Sequence, residues 1–118
     1  MREPPAIETY GAGGFRVAGV WWPGPLLILA DQPLDWRPTT LADVTIEDFA
    51  GVLALERGAA EFVLLGTGAV QALPARSIRE GLRAAGLGFE FMATDAAVRM
   101  HNVLASEGRL FATALIPI

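Results

Sequence analysis

Cysteine is absent from this sequence, which excludes disulfides, zinc–thiolate sites, thiol nucleophiles and iron–sulfur clusters. Lysine is absent too, so nine arginines stand against thirteen acids, for a net charge of −4. Without a basic field there is nothing to hold a phosphate backbone, and no nucleic-acid partner is expected. The one histidine, His101, cannot build a histidine-cluster metal site within a single chain, so neither a metal nor another cofactor is expected. Long hydrophobic runs are lacking: the longest spans about five residues, against the ~20 that a membrane-crossing helix needs, so no transmembrane segment is expected. Met1-Arg2-Glu3-Pro4-Pro5 puts an acid and prolines where a signal peptide needs an apolar core. A cytoplasmic location is therefore expected, and the arginine-for-lysine composition suggests a GC-rich bacterial genome.

What is present is apolar material in quantity. Hydrophobic residues make up 53% of the 118, and the mean hydropathy is +0.41. A chain of this length buries roughly two-thirds of its unfolded surface in one core. The expectation is a single domain over residues 1–118, with residues 1–6 a flexible lead-in because two prolines and opposite charges give nothing to bury.

The first third reads as β. Ile7–Tyr10 and Phe15–Trp22 are two strands joined by Gly11-Ala12-Gly13-Gly14, a connection able to supply positive φ. After the Pro23-Gly24-Pro25 turn, Leu26–Ala30 is an apolar run suited to a strand covered on both faces. Asp31–Thr40 reads as a loop broken by Pro33 and Pro38, with Trp36 pinning it. Trp21, Trp22 and Trp36 fit either packing or an exposed aromatic patch.

Thr45 and Asp48 form a capping-box pair, and Val44 and Phe49 occupy the staple positions. They predict a helix from Ile46 to about Arg57, burying Ile46, Phe49, Val52 and Leu53 and stopping at Gly58. Phe62–Leu65 is then a strand. A helix after Pro74 buries Ile78, Leu82 and Ala85, shows Arg76, Arg79 and Arg83 on its opposite arc, and stops at Gly86. Gly88–Met92 is a strand with Glu90 inside it; Thr94 or Asp95 caps a third helix to about Glu107, and Leu110–Ile116 is the last strand. Strands alternating with helices predict a three-layer α/β domain: a central mixed sheet, about three helices and an N-terminal β-hairpin that extends the sheet or forms a second one.

Phe62–Arg79 organises the rest. An apolar strand ending in Gly66-Thr67-Gly68 presents backbone amides at its carboxyl end, where open α/β sheets bind ligands. The third glycine of a dinucleotide fingerprint and the lysine of a phosphate loop are both missing. The turn is then either a tight bend or a ligand-contacting loop. On the third helix Asp95, Arg99, Asn102 and Ser106 lie along one polar face, with Thr94 at its start. That face is either plainly solvated or a site where arginine and amide grip an anion. His101 has no serine-and-acid pair at a triad spacing, so no catalytic residue is assigned and the chain leans away from enzymes. It is expected to be a surface or packing histidine.

The order and spacing of FVLLGTGAVQALP, GLGFEFM and TDAAVRMHNVLASEGR resemble one small α/β domain family of unknown biochemical function. It includes the mitochondrial respiratory complex I assembly factor 3, an adipogenesis-associated domain protein, and stand-alone bacterial and archaeal members. The resemblance spans nearly the whole chain. By position it places the family's recurring residues on Trp36, Gly66, Thr67, Gly68, Thr94, Ala97, Arg99 and Asn102. Two departures are that Met92-Ala93-Thr94 stands where bacterial members often read M-D-T, and Val98 where they often carry cysteine. The resemblance implies a three-layer fold and, for the mitochondrial member, assembly of a respiratory complex through protein contacts.

Two readings follow. One is a protein-interaction or assembly-factor-like module with a partner protein, compatible with homo-oligomers. The other is a small-ligand or anion-binding protein, or an enzyme, with a pocket floored by Gly66, Thr67 and Gly68 and walled by Thr94, Arg99 and Asn102.

Overall fold

The computed structural model describes residues 2–118; of the lead-in expected over residues 1–6, Met1 lies outside the described residues. Three hairpins build the N-terminal third. β1 (Ile7–Gly11), β2 (Gly14–Val17) and β3 (Val20–Pro23) form an antiparallel three-stranded sheet of their own, in that order. β4 (Leu26–Leu29) and β5 (Gln32–Asp35) form the third hairpin, which belongs to the main sheet.

Two expectations are corrected here. The single strand Phe15–Trp22 is two strands, and the loop Asp31–Thr40 contains β5. The cause is the same in both cases. The two-residue turns Ala18-Gly19 and Ala30-Asp31 have positive φ at both positions, 49° and 77° and then 50° and 64°. That is the hand of the primed turns that match strand twist. Alanine in a left-handed conformation is not a turn signal that a sequence displays. Pro33 sits opposite Ile28 in β5, and the strand tolerates it because β5 is an edge that needs no second donor.

The main sheet has five strands in the order β5-β4-β8-β6-β7, where β6 is Phe62–Gly66, β7 Gly88–Met92 and β8 Phe111–Leu115. β6 runs parallel to both β7 and β8, while β4 runs antiparallel to β8, so the sheet is mixed as expected. α2 (Arg76–Ala84) carries the chain from β6 outward to β7, and α3 (Thr94–Ser106) brings it back past β6 to β8. Right-handed crossovers running in opposite directions put their helices on opposite faces.

The core is accordingly split by the sheet. On one face Trp36, Phe49, Val52, Ile78 and Leu82 pack against Val63, Leu65 and Ala112. On the other, Phe15 and Val17 of the small sheet and Ala97 and Val98 of α3 pack against Ile28, Leu64 and Leu115. The three layers are α1 (Ala50–Leu53) with α2, then the five-stranded sheet, then α3 with the small sheet.

The first helix is shorter than its start signals suggest. Thr45 N–H donates to the Asp48 carboxylate at 2.8 Å, which is the capping box. A 3-10 turn at Ile46–Phe49 then passes into α1, which spans only Ala50–Leu53. The next positions on the buried stripe are Glu56 and Arg57, so continuing the helix buries nothing and a short helix gains nothing from propensity alone. Leu53, expected inside, is 39% exposed, and Ala85 after α2 is exposed as well.

The tryptophans divide. Trp36 is buried, meets Phe49 edge-on at 5.5 Å, and donates its indole N–H to the Asp48 carbonyl at 2.9 Å; Trp21 is exposed. Arg37 grips the Asp48 carboxylate through two nitrogens at 2.7 Å each, so the loop, the cap and the core meet at one residue pair. That guanidinium, with the Thr45 bonds, holds the Asp48 carboxyl below its usual range.

The lead-in carries contacts that its composition does not announce. The Arg2 guanidinium binds both oxygens of Asp31, at 2.9 and 3.0 Å, and the Pro5 carbonyl accepts from His101 at 2.8 Å. Phe49→Ala should lower unfolding free energy by ~3–5 kcal/mol, whereas Leu53→Ala should cost less than ~1 kcal/mol. Urea denaturation of the two variants checks this, and equal losses would refute the short-helix geometry.

Candidate functional site

The four-residue run Phe62–Leu65 crosses the middle of the domain with both faces covered, and Leu64 and Leu65 are fully buried. Its exit at Gly66 is where four of the candidate residues, Gly66, Thr67, Gly68 and Thr94, meet. The Gly66 carbonyl accepts from Ile116 N–H at 3.0 Å and Thr67 N–H donates to the Met92 carbonyl at 2.8 Å, so both neighbouring ladders continue to this point.

Thr94 closes the end of the sheet. It is fully buried. Its hydroxyl accepts from Gly68 N–H at 2.9 Å and donates to the Ile116 carbonyl at 2.7 Å, and its own N–H donates to the Gly68 carbonyl at 2.8 Å. A Cβ on Gly66 would lie 2.8 Å from both Thr94 Oγ1 and Leu115 Cδ2, closer than such contacts occur. Glycine is required here by close approach, since α3 sits directly on the strand end. Thr67 spends its hydroxyl proton inside the loop, donating to the Val70 carbonyl at 2.7 Å.

The structure therefore brings Gly66, Thr67, Gly68 and Thr94 together as one junction. Arg99 and Asn102 are elsewhere. Asn102 lies eight residues beyond Thr94 on α3, ~12 Å along the helix. Its amide accepts from Ile7 N–H at 2.8 Å and donates to the Ile7 carbonyl at 2.9 Å. One side chain thus replaces a neighbouring strand for Ile7 and hangs the small sheet on α3. Arg99 is exposed and lies 3.8 Å from Asp95, the solvated helix pair that its spacing suggests. At the start of α3 the Asp95 carboxylate accepts from Ala96 N–H at 2.8 Å, so that amide too is occupied from within.

His101 is the buried polar residue whose surroundings the sequence does not reveal. It is 2% exposed. Nδ1 lies 2.7 Å from the hydroxyl of Thr113, and Nε2 lies 2.8 Å from the Pro5 carbonyl. The carbonyl can only accept, so Nε2 carries the proton and Nδ1 accepts from Thr113. Burial pushes the imidazole pKa below its usual value. Thr113 was not singled out from sequence, because a threonine inside an apolar strand gives no sign of what it faces.

Two further features expose apolar side chains. In the loop that Thr67 holds, Val70 is 69% and Leu73 65% exposed. A cleft of about 480 Å³ also opens between α3 and β7, floored by Phe62, Leu64 and Met92 and walled by Met100 and Leu104. No periodic pattern marks either feature. Among the described residues no group of three or more histidine or acidic side chains is placed to hold a metal ion, and no helix is long and apolar enough to cross a membrane.

Comparison with known proteins places these features in a wider set. A family model described as a protein of unknown function, DUF498/DUF598, matches residues 7–116. An uncharacterised protein of Rhodobacter capsulatus is 38% identical over 112 residues, covering 95% of this chain and 84% of the relative. The NADH dehydrogenase (ubiquinone) 1 alpha subcomplex assembly factor 3 of Danio rerio is 33% identical over 111 residues, 94% of this chain but only 63% of that protein. The chain thus spans about three-fifths of that relative. Among solved structures, that of a Bordetella parapertussis protein superposes with a TM-score of 0.86 at 30% identity, covering 99% of this chain and 98% of that one.

Thr94→Val removes one donor and one acceptor from a buried junction and should cost ~1–3 kcal/mol, whereas Arg99→Ala should stay within ~0.5 kcal/mol of the parent. Chemical denaturation separates the two, and a large loss at Arg99 would contradict the geometry. The pH dependence of His101 has a definite sign. The unfolded imidazole takes up a proton near pH 6.5 and the folded one resists it, so its stabilisation is complete above about pH 6.5 and declines as pH falls below that. Thermal midpoints measured from pH 7 to pH 5 should fall for the parent chain and change less for His101→Gln, since Asp48 begins to lose its contribution only at lower pH.

Proposed function

The chain belongs to the DUF498/DUF598 family of proteins of unknown function, and from that premise we propose that it is a cytoplasmic protein-interaction module of assembly-factor type. One observation carries this reading. At the junction of Gly66, Thr67, Gly68 and Thr94 the hydroxyls and the Gly68 amide are engaged inside the fold, whereas the neighbouring loop turns two aliphatic side chains, Val70 and Leu73, into solvent. A chain gains nothing for its own stability by exposing them. They suit burial against a partner, since removing exposed apolar area from water favours association.

The charge around the loop supports the same reading. Arg76 and Arg79 follow immediately on the first turn of α2, and Arg79 donates to the Pro74 carbonyl at 3.3 Å, which keeps its guanidinium beside the loop. An apolar pair bordered by arginines suits a protein face with an apolar centre and an acidic rim. The name of the Danio rerio relative, an assembly factor, agrees with a role exercised through protein contacts. The other reading, a ligand pocket at Gly66-Thr67-Gly68 walled by Arg99 and Asn102, draws no support from the geometry. Asn102 is spent on Ile7, and Arg99 faces solvent.

The test is crosslinking followed by affinity purification from the native cell, with the parent chain and a Val70→Ser/Leu73→Ser double variant side by side. The parent should recover a partner that the double variant loses, with the thermal midpoint of the variant within a few degrees, about what a ~0.5 kcal/mol change produces. Recovery of nothing above background, or equal recovery by both chains, would remove this reading.

A further inference from the structure

The two edges of the main sheet are not equally protected. β5 is blunted by Pro33, which lacks an N–H, and is short. β7, Gly88-Phe89-Glu90-Phe91-Met92, has no proline, no lysine and an unbroken register of five residues against β6. Gly88 N–H donates to the Glu61 carbonyl at 3.0 Å and the Met92 carbonyl accepts from Thr67 at 2.8 Å, so residues 88 and 92 turn their backbone groups inward. By the alternation of a strand, Phe89 and Phe91 turn theirs outward. Among the described residues no strand pairs with that side.

The side chains along this edge differ by face. Phe89 and Phe91 lie on the α2 side, their rings 5.8 Å apart, as a half-buried apolar shoulder. Glu90 and Met92 lie on the α3 side, where they border the cleft of about 480 Å³. That cleft exists because α3 packs over β6 and reaches little of β7. Its charges are unequal: Glu61 is 3.7 Å from Arg109, which also lies over the Phe62 ring, whereas Glu90 has no ion-pair partner among the described residues.

We propose that the free edge of β7 receives an extended segment of a partner protein as a sixth strand, with a lysine or arginine of that segment set against Glu90 and apolar residues on the cleft and on Phe89 and Phe91. This rests on the interaction-module reading and names how one partner binds. Outward N–H and C=O groups supply the affinity of strand addition, and alternate side-chain positions supply its selectivity. Charge selects the occupant. A second copy paired antiparallel about residue 90 would set the two Glu90 Cβ atoms ~4.5–5.5 Å apart and their like charges on one face, between chains that each carry −4. A basic segment from another protein meets the opposite situation.

The experiment selects 12-residue peptides from a random displayed library on the full chain, then follows amide hydrogen exchange of the isotope-labelled chain with the best synthetic peptide. Exchange at Phe89 and Phe91 should slow at least tenfold while Glu90, already bonded to β6, changes little. The selected peptides should carry a lysine or arginine. Glu90→Lys, an exposed change, should weaken binding at least tenfold, and a peptide with glutamate in place of the cation should restore it. Three results would overturn the proposal: no peptide selected, protection confined to another region such as Val70–Leu73, or concentration-dependent protection of Phe89 and Phe91 in the free chain with the mass of a dimer. A chain that captures its cellular partner through Val70 and Leu73 yet shows no protection at β7 would sink this inference alone and leave the interaction module standing.

Discussion

A single buried hydroxyl holds together parts of the chain that no local interaction could align. Thr94 Oγ1 accepts a hydrogen bond from the Gly68 amide and donates one to the Ile116 carbonyl, joining the exit of β6, the entry of α3 and the end of β8. Inside an apolar core such a group is costly unless both of its hydrogen-bonding roles are filled. Gly66 is the steric counterpart of the same junction, because any side chain there would displace the helix from the strand end. The direction of α3, and with it the placing of the small sheet through Asn102, follows from that contact.

The polar and apolar groups are distributed in a way that bears on function. Side chains that chemistry would need, Thr67, Thr94, His101 and Asn102, have their hydrogen-bonding atoms directed at the chain's own backbone or at Thr113. The groups left over are aliphatic, aromatic or single charges: Val70, Leu73, Met100, Glu90 and the outward face of β7. That distribution is what supports the interaction-module reading proposed above. Such surfaces also carry a risk, since an unblunted strand edge is open to wrong partners as well as right ones. Glu90 in the middle of that edge repels identical chains.

The second half of the fold was legible because its signals are local. The run Phe62–Leu65, the apolar spacing of Ile78 and Leu82, and the stops at Gly86 and Gly108 each fix an element without reference to anything distant. The first half was less so. Its first hairpin is marked by Gly11-Ala12-Gly13-Gly14, but the next two turn on Ala18-Gly19 and Ala30-Asp31, where alanine adopts a conformation it does not advertise. β5 was hidden by Pro33, and α1 was overextended because a complete capping box says where a helix starts and nothing about where it ceases to bury anything. The site divided in the same manner. The adjacency of Thr94 and the glycine loop was implied by the family resemblance and not by spacing, and the role of Asn102 depends on β1, which lies 95 residues away in sequence, so residue spacing along α3 carries no trace of it.

The strand order also has a bearing on biosynthesis. β8 is made after every other strand described, yet it stands in the middle of the main sheet, between β4 and β6. Before it emerges, the hairpin β4–β5 and the unit β6–α2–β7 share no strand, Thr94 has no Ile116 carbonyl to accept its hydrogen bond, and His101 has no Thr113. Until residues 111–115 are made, a nascent chain therefore lacks the strand that joins the two halves of the main sheet. A message truncated before residue 111 would yield a chain without the central strand of its main sheet.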